Sequence, residues 1–336
     1  MNAIMEHPFP KSTASIEKCK RLLQVVNPDD ILGIMIDADP DAMASALALK
    51  RFLWRKVRKT EIYHLNVIQR TDNLAFIKLL KIDQQHIKSI KRKEITKWAI
   101  VDSQPEHHEQ FKDQQFDIII DHHPVNPLSR ASFVDIKEDY GANSTIMTEY
   151  LRAAGIKPSP KLATALFYGI KSDTDNFLRA SLLNDLNAFR YLYKFTNMNI
   201  IKKIEFSEIT KKTLFSYQFA IDRLTFIKDI AFVHMEEVRN PDELVLIADF
   251  FMKLAEATWS IVSGIYDKKL IIILRNAGFQ ANAGKIAQKL FGNLGGSAGG
   301  HRSAARAEIP LENIIQETKG KIEPGRFVSA KLKGMK

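Results

Sequence analysis

Cysteine is almost absent: Cys19 is the single one in 336 residues. No internal disulfide can form, and the chain suits a reducing compartment. No apolar run approaches the roughly 18 residues of a membrane span. The opening MNAIMEHPFPKST lacks an apolar stretch of signal-peptide length, so a cytoplasmic protein that enters no membrane is expected. Internal repeats and low-complexity segments are missing, and 45% hydrophobic residues exclude a mainly disordered chain. Acid is scarce relative to base. The 39 Asp and Glu face 49 Lys and Arg, a balance of +10 with histidine neutral. That excess favours polyanionic partners: nucleic acid, nucleotides or polyphosphate. It gathers at Arg55-Lys56-Val57-Arg58-Lys59, at Lys91-Arg92-Lys93 and in the tail 319–336. Solvated faces give the same count, so charge alone does not choose the partner.

What is present is an alternation of strand and helix signals, over a length that suggests about two domains. ILGIMID (31–37), EIYHLNV (61–67), WAIVD (98–102) and DIIID (117–121) read as strands, most of them short apolar runs of the kind buried on both faces. Between and after them, Met43, Ala46, Leu47, Leu53, Trp54 and Val57, then NLAFIKLL (73–80), then much of 143–194 show helical spacing. Such alternation implies an α/β fold with a doubly wound, mainly parallel sheet. The lysine-rich stretch 195–228 reads as a linker between a first domain, 1–194, and a smaller α/β domain, 229–336. In the latter, IAFVHM (230–235), TWSIVSGIY and KKLIIILRN read as strands, the last two joined by a turn at Asp267. PDELVLIADFFMKLAE (241–256) and ANAGKIAQKLF (281–291) read as helices.

Three acidic clusters stand where three of these strands end: Asp37-Ala38-Asp39-Pro40-Asp41, Asp102, and Asp121-His122-His123. In an open parallel sheet, ligands bind outside the carboxyl ends of the strands. The topology therefore brings five aspartates and two histidines to one crevice, a donor set that suits Mn²⁺ or Mg²⁺. Singly, each has an ordinary structural explanation. Asp39 or Asp41 is a good helix N-cap, and Asp102 can cap a turn. His107-His108 read as surface residues. The segment Gly295-Gly296-Ser297-Ala298-Gly299-Gly300-His301 lets backbone N–H groups approach an anion, or is a flexible turn. Arg275, at the end of an apolar strand, can pair structurally or fork onto a phosphate or carboxylate. Cys19 has no histidine or aspartate context and reads as structural. Phe250, Phe251 and Trp259 read as core.

The run IIIDHH (118–123) resembles the signature of the DHH phosphoesterases. DADPDAMAS (37–45) is similar to the first motif of that family, VDS (101–103) to the second, and GIKSDT (169–174) to the fourth. YGANSTIMTEYL (140–151) looks like the segment between the third and fourth. GGSAGGHRSAA (295–305) resembles the glycine-rich substrate motif of the DHH-associated domain, and LRN (274–276) the strand carrying its substrate arginine. The resemblance spans about residues 31–310.

The resemblance implies a two-metal phosphoesterase with Mn²⁺ or Mg²⁺. Asp39 and Asp41 would each ligate one ion, Asp102 would bridge both, and His122 and Asp173 would complete the shells, with Asp37 as a further ligand. His123 would face the substrate phosphate and Asp121 would orient the pair. His301, Arg275, Gly299 and Gly300 would hold substrate across a cleft. Short oligonucleotides and 3′-phosphoadenosine 5′-phosphate are the expected substrates, since the motifs are most like those of nanoRNase-type members. An exopolyphosphatase or pyrophosphatase-like hydrolase, a RecJ-like single-strand exonuclease and a non-catalytic nucleotide binder are the alternatives. A homodimer is among the assemblies the sequence admits. Two positions depart from the family pattern: Met35 stands where many relatives have histidine, and Arg306 where they have glycine.

Overall fold

The computed structural model describes residues 14–89, 94–112, 114–178, 182–207, 211–277, 281–318, 320 and 323–334. The basic cluster Lys91-Arg92-Lys93, the opening segment up to residue 13 and parts of the tail lie outside the described residues. The chain divides into two compact units, 1–208 and 209–336.

In the first unit, β1 (Ile31–Ile36), β2 (Lys59–His64), β3 (Gln85–His86), β4 (Lys97–Val101), β5 (Ile118–Asp121) and β6 (Phe133–Ile136) form one sheet. Its order is β3-β2-β1-β4-β5-β6 and every pairing is parallel. The order reverses between β1 and β4, which makes that junction the switch point of a doubly wound sheet. Alternate side chains of β1 serve opposite faces, as a pleated strand requires. Leu32, Ile34 and Ile36 pack with α1 (Ser15–Val25), α2 (Pro40–Phe52), α5 (Asn143–Ala153) and α6 (Pro160–Asp173). Met35 packs on the other face with Tyr63, Trp98 and Phe111. The position at which relatives carry a histidine is thus a core position here, 1% exposed.

Asp135 interrupts the apolar run of β6, which is why that strand carries no clear signal in sequence. It is fully buried and is held by Lys18 Nζ at 2.6 Å and by the Tyr150 hydroxyl at 2.8 Å. The pair fastens α1 to the sheet edge. Breaking a buried pair from one side strands the other charge. Lys18→Met should therefore lower the unfolding free energy by about 3–5 kcal/mol, read from a denaturant melt. A loss within error of zero would show that Asp135 is neutralised by other means. Cys19, next to this pair, is buried with its thiol 3.6 Å from the Tyr150 carbonyl. Burial first, then the Asp135 charge, pushes the thiol up to about 11, which fits a structural role.

The stretch 195–228 is divided between the two units rather than serving as a linker. α8 (Met198–Glu205) packs on α3 (Thr71–Leu79) and α6, whereas α9 (Lys211–Asp222) packs on α10 (Asp242–Phe251). In the second unit, β7 (Thr225–Ile227), β8 (Ile230–Glu237), β9 (Trp259–Tyr266), β10 (Lys269–Asn276), β11 (Ser297–Gly300) and β12 (Ala304–Pro310) form a mixed sheet in the order β11-β12-β10-β9-β8-β7. Asp267 and Lys268, with φ of +46° and +58°, make the two-residue turn between β9 and β10. Positive φ at both positions matches the twist of paired strands. One face packs with α11 (Ala283–Phe291), α12 (Leu311–Thr318) and α13 (Pro324–Lys333), the other with α9 and α10. Phe251 and Trp259 are in the core as expected, but Phe250 is 37% exposed.

Candidate metal centre

β1, β4 and β5 end side by side at the switch point. Asp37 and Asp39 lie in the loop after β1. Asp39 caps α2, its carboxylate accepting from the Ala42 N–H at 2.8 Å, and Pro40 follows at the first helical position, where its missing N–H costs nothing. Capping uses one oxygen and leaves the other available. Asp41, one residue into the helix, is 1% exposed. Its two oxygens accept from the Asn143 N–H at 2.6 Å and the Ser144 N–H at 2.8 Å. These are the first residues of α5, so a helix N-terminus stabilises the buried carboxylate. α6 crosses just behind. A Cβ on Gly169 would stand 2.5 Å from Ser144 Oγ and 3.1 Å from Asp41 Oδ1, so glycine permits this approach. α6 ends at Asp173, and residues 175–177 then take three consecutive left-handed conformations.

Asp102 follows β4 with a φ of +60°, while its amide still bonds the Ile120 carbonyl at 2.9 Å. Aspartate tolerates this backbone region better than most residues. His122 follows β5. Its Nδ1 lies 3.0 Å from the Tyr140 carbonyl. A carbonyl only accepts, so Nδ1 carries a proton and Nε2 is the nitrogen left for an ion, once that ion displaces any proton there. That Nε2 is 3.0 Å from Asp173 Oδ2, 3.2 Å from Asp102 Oδ1 and 4.0 Å from Asp41 Oδ2. Among the described residues, neither His122 Nε2 nor Asp102 Oδ1 has a hydrogen-bond partner, although both atoms are buried. Orphaned polar atoms of this kind are costly unless something else engages them, and converging carboxylate oxygens with an imidazole nitrogen suit a divalent cation.

Among the described residues, Asp41, His122 and Asp173 bring their ligand atoms within 4.8 Å of one another, and so do Asp102, His122 and His123. Asp39 and Asp37 fall outside these two groups. The Asp39 charge still acts on Asp102, and Asp37 stands at the rim with a side chain 41% exposed.

The crowding shows in the proton affinities. Burial, then the neighbouring Asp173 charge, pushes Asp41 up to about 6. Withdrawal from bulk water, then the Asp41 charge, pushes Asp39 up to about 7, although the residue as a whole remains open to solvent. Burial, followed by Asp41 and Asp39, raises Asp102 well above the carboxylate range. Burial opposes protonation of His122, but Asp102 and Asp173 outweigh it and raise its affinity for a proton. Asp121 differs. Burial would raise it, yet hydrogen bonds from His123 at 2.9 Å and from Gln104 at 2.6 Å hold it below its ordinary value. It remains a carboxylate that orients His123 through Nδ1.

Four residues here escaped the sequence reading. His107 and His108, expected at the surface, belong to this region. His107 groups with Asp121 and His123, its ring 5.6 Å from that of His123. His108 Nε2 lies 3.5 Å from Asp37. Both follow β4 within seven residues, so the strand-end logic that selected Asp102 applied to them too. Gln104 is fully buried and bridges Asp121 to the Asn126 amide. Asn66, after β2, pins the loop between Asp37 and Asp39 by accepting from the Ala38 N–H at 2.8 Å and donating to the Ala38 carbonyl at 2.9 Å.

In the second unit, the glycine-rich segment forms the edge strand β11 rather than a loop, with Gly299 opposite Arg306 and Gly300 opposite Ala305. Close packing explains two of its glycines: a Cβ on Gly296 would collide with the Glu308 carbonyl oxygen and one on Gly300 with that of Ala304, whereas Gly299 faces open space. His301 is exposed, its amide bonding the Ala304 carbonyl at 2.8 Å. Arg275 Nε donates to Asp249 of α10 at 2.5 Å. Arg275 faces Ala304 and Ile273 faces Arg306 in the β10–β12 register, so Arg275 and Arg306 are diagonal neighbours on one face.

A parallel sheet in this order, with carboxylates and paired histidines at its switch point, defines a doubly wound α/β protein whose switch point carries groups that could hold a metal ion. The chain belongs to the DHH family of phosphoesterases: residues 32–170 match the DHH family N-terminal domain and residues 228–323 the DHHA1 domain. It is 35% identical to an uncharacterised Methanocaldococcus jannaschii protein over 277 residues, covering 82% of this chain but only 57% of that protein's length. It is 27% identical to the A-adding tRNA nucleotidyltransferase of Aquifex aeolicus over 208 residues, which cover 60% of this chain and 24% of that enzyme. In fold it is similar to an exopolyphosphatase-related protein from Bacteroides fragilis, with a TM-score of 0.72 at 14% identity, covering 93% of this chain and 98% of that one. Among the described residues, no helix is long and apolar enough to cross a membrane.

Proposed function

We propose that this chain is a divalent-metal-dependent phosphoesterase that hydrolyses short oligonucleotides or nucleotide phosphates, of the nanoRNase or 3′-phosphoadenosine 5′-phosphate phosphatase type. The observation that carries this reading is the pair of three-residue groups sharing His122, with Asp102 Oδ1 and His122 Nε2 buried and unengaged. His122 Nε2, together with Asp41 and Asp173, would hold one ion. Asp102, with Oδ1 3.2 Å from His122 Nε2, would be the ligand the two ions share. The motif resemblance would give the other ion Asp39, with Asp37 as a further ligand. Bound Mn²⁺ or Mg²⁺ would lower the proton affinity of a water and neutralise charge on the phosphoryl group. His123, held by Asp121, keeps its Nε2 on a half-exposed ring, free to donate to a phosphate oxygen. In the DHHA1 unit, His301 and Arg275 are assigned to substrate, with the outward backbone of Gly299 and Gly300.

The test is incubation with Mn²⁺ and a panel of dinucleotides, 3′-phosphoadenosine 5′-phosphate, cyclic dinucleotides, polyphosphate and single-stranded DNA. Faster hydrolysis of two- to five-nucleotide RNA than of long strands is expected. Processive digestion of long DNA with dinucleotides ignored would replace this reading with a RecJ-like exonuclease. Turnover of polyphosphate alone would replace it with a polyphosphatase.

Capture separates from chemistry in a second expected outcome. Charge-assisted hydrogen bonds are worth about 1.5–3 kcal/mol, so His301→Ala and Arg275→Ala should each lower kcat/KM by roughly 10- to 150-fold. Metal content should stay full. Asp249, the partner that Arg275→Ala would leave behind, is 51% exposed, so the fold should survive. Ions lost from His301→Ala would move that histidine into the metal shell.

A further inference from the structure

The loop between α2 and β2 carries a second feature, at the opposite end of the sheet. β2 starts at Lys59, so residues 53–58 lie at the amino ends of the parallel strands. The 13 residues of α2 separate them from Asp41 by about 20 Å at 1.5 Å per residue. Sequence spacing puts Trp54 on the buried face of a helix, but α2 ends at Phe52. Leu53 and Val57 turn inward, and Trp54 is left 58% exposed. The other two tryptophans, Trp98 and Trp259, are 8% and 7% exposed.

Two guanidinium groups lie over the Trp54 ring, Arg51 at 5.1 Å and Arg55 at 4.4 Å. Arg55 takes a φ of +63°, a left-handed turn directly after the tryptophan. Stacking fixes the plane of a guanidinium and leaves its N–H edge outward. Among the described residues, no hydrogen bond or ion pair engages the side chains of Arg51, Arg55, Lys56 or Arg58, whereas Lys59 is paired with Glu61 at 2.7 Å. No acidic residue occurs between Asp41 and Glu61. The positive charge continues beyond the loop: burial, then the charges of Lys50 and Lys81, hold Lys161 below the usual lysine range.

We propose that Arg51, Trp54 and Arg55 form a docking site for the phosphate backbone of single-stranded nucleic acid, separate from the metal centre. Uncommitted, pre-oriented guanidinium groups fork onto phosphates, and an exposed indole among cations is the combination that holds unpaired strands. A protein partner or a lipid surface would need apolar area, and among residues 53–58 Trp54 is exposed while Leu53 and Val57 are buried. The site anchors a strand too long for the metal centre to enclose.

Trp54 is itself the probe. Titrating the protein with a 12-nucleotide oligouridylate in metal-free buffer should quench tryptophan fluorescence, with an affinity that falls as salt rises. The charge reversal R51E/R55E should weaken binding at least 10-fold, and Trp54→Leu by about 5- to 100-fold. All three side chains are exposed, so melting temperature and dinucleotide hydrolysis should not change. Unaltered affinity in R51E/R55E would overturn the proposal. So would equal affinity for polyphosphate that ignores Trp54→Leu, or binding to anionic phosphatidylserine vesicles without binding to the oligonucleotide. Should the protein hydrolyse no nucleotide but still bind the strand in an Arg51- and Arg55-dependent way, the hydrolase reading fails and this one stands.

Discussion

Asp102→Ala is expected to abolish phosphoester turnover and to lower metal occupancy, with the fold retained. Asp102 Oδ1 is buried, 3.2 Å from His122 Nε2, and among the described residues it has no hydrogen-bond partner. It is also the carboxylate that burial and the charges of Asp41 and Asp39 disfavour most plainly as an anion. Removing it relieves repulsion in the metal-free site, so stability should not suffer on electrostatic grounds. The backbone complicates the alanine variant. At a φ of +60°, alanine is strained by about 1–2 kcal/mol, which would offset the relief. Asp102→Asn avoids this, since asparagine tolerates the left-handed region and keeps the volume. It should match or exceed the wild type in a denaturant melt and be as inactive as the alanine variant. Metal content by elemental analysis and steady-state hydrolysis decide the matter. Wild-type turnover in either variant would remove Asp102 from the reaction and with it the two-ion assignment.

The parallel sheet was legible where its strands are pure apolar runs. ILGIMI and IIID are buried on both faces, and nothing but a central strand fits them. FVDI was not, because Asp135 interrupts the run and its partners Lys18 and Tyr150 come from α1 and α5. Trp54 shows the opposite failure. Helical spacing assigned it to a buried stripe, but the helix stops two residues earlier, and a phase read past a helix end points the wrong way. The stretch 195–228 looks polar in sequence because α8 and α9 each bury one narrow stripe, in different units.

Strand-end logic brought Asp37 through Asp41, Asp102 and Asp121 through His123 to one place, because topology alone determines where strands end. Asp173 was invisible to that logic. It ends a helix, and its approach to His122 depends on α6 crossing α5 closely at Gly169. Only the family motif singled it out. Asn66 and Gln104 were illegible for another reason. Each acts through hydrogen bonds to backbone or carboxylate groups distant in sequence, and no spacing rule marks such contacts.

The metal-free protein should lose stability from this site as pH rises, and a divalent ion should restore it. An Asp41 pushed from 3.8 to about 6 keeps its proton in the folded state where the unfolded chain has already shed it. Folding therefore becomes less favourable as pH climbs through that window, by on the order of a few kcal/mol. Asp39, raised to about 7, extends the window in the same direction, with less weight because it is open to solvent. His122 adds to it. Its raised affinity for a proton contributes stability that is complete below 6.5, its ordinary value, and is lost as pH rises beyond that. All three groups therefore bind more protons folded than unfolded. A cation at Asp41, His122 and Asp173 takes the place of these protons, so binding should release them and tighten with pH. Asp121 and the distant ion pairs, whose pH dependence has the opposite sign, cancel in the difference between metal-loaded and metal-free protein. That difference in melting temperature, measured with Mn²⁺ against EDTA, should grow steadily from pH 5 to pH 7.5. Calorimetric titration of Mn²⁺ in two buffers of different ionisation enthalpy should register the released protons. A difference that stays flat with pH, or binding with no proton released, would mean that these carboxylates and His122 are not the groups that hold the ion.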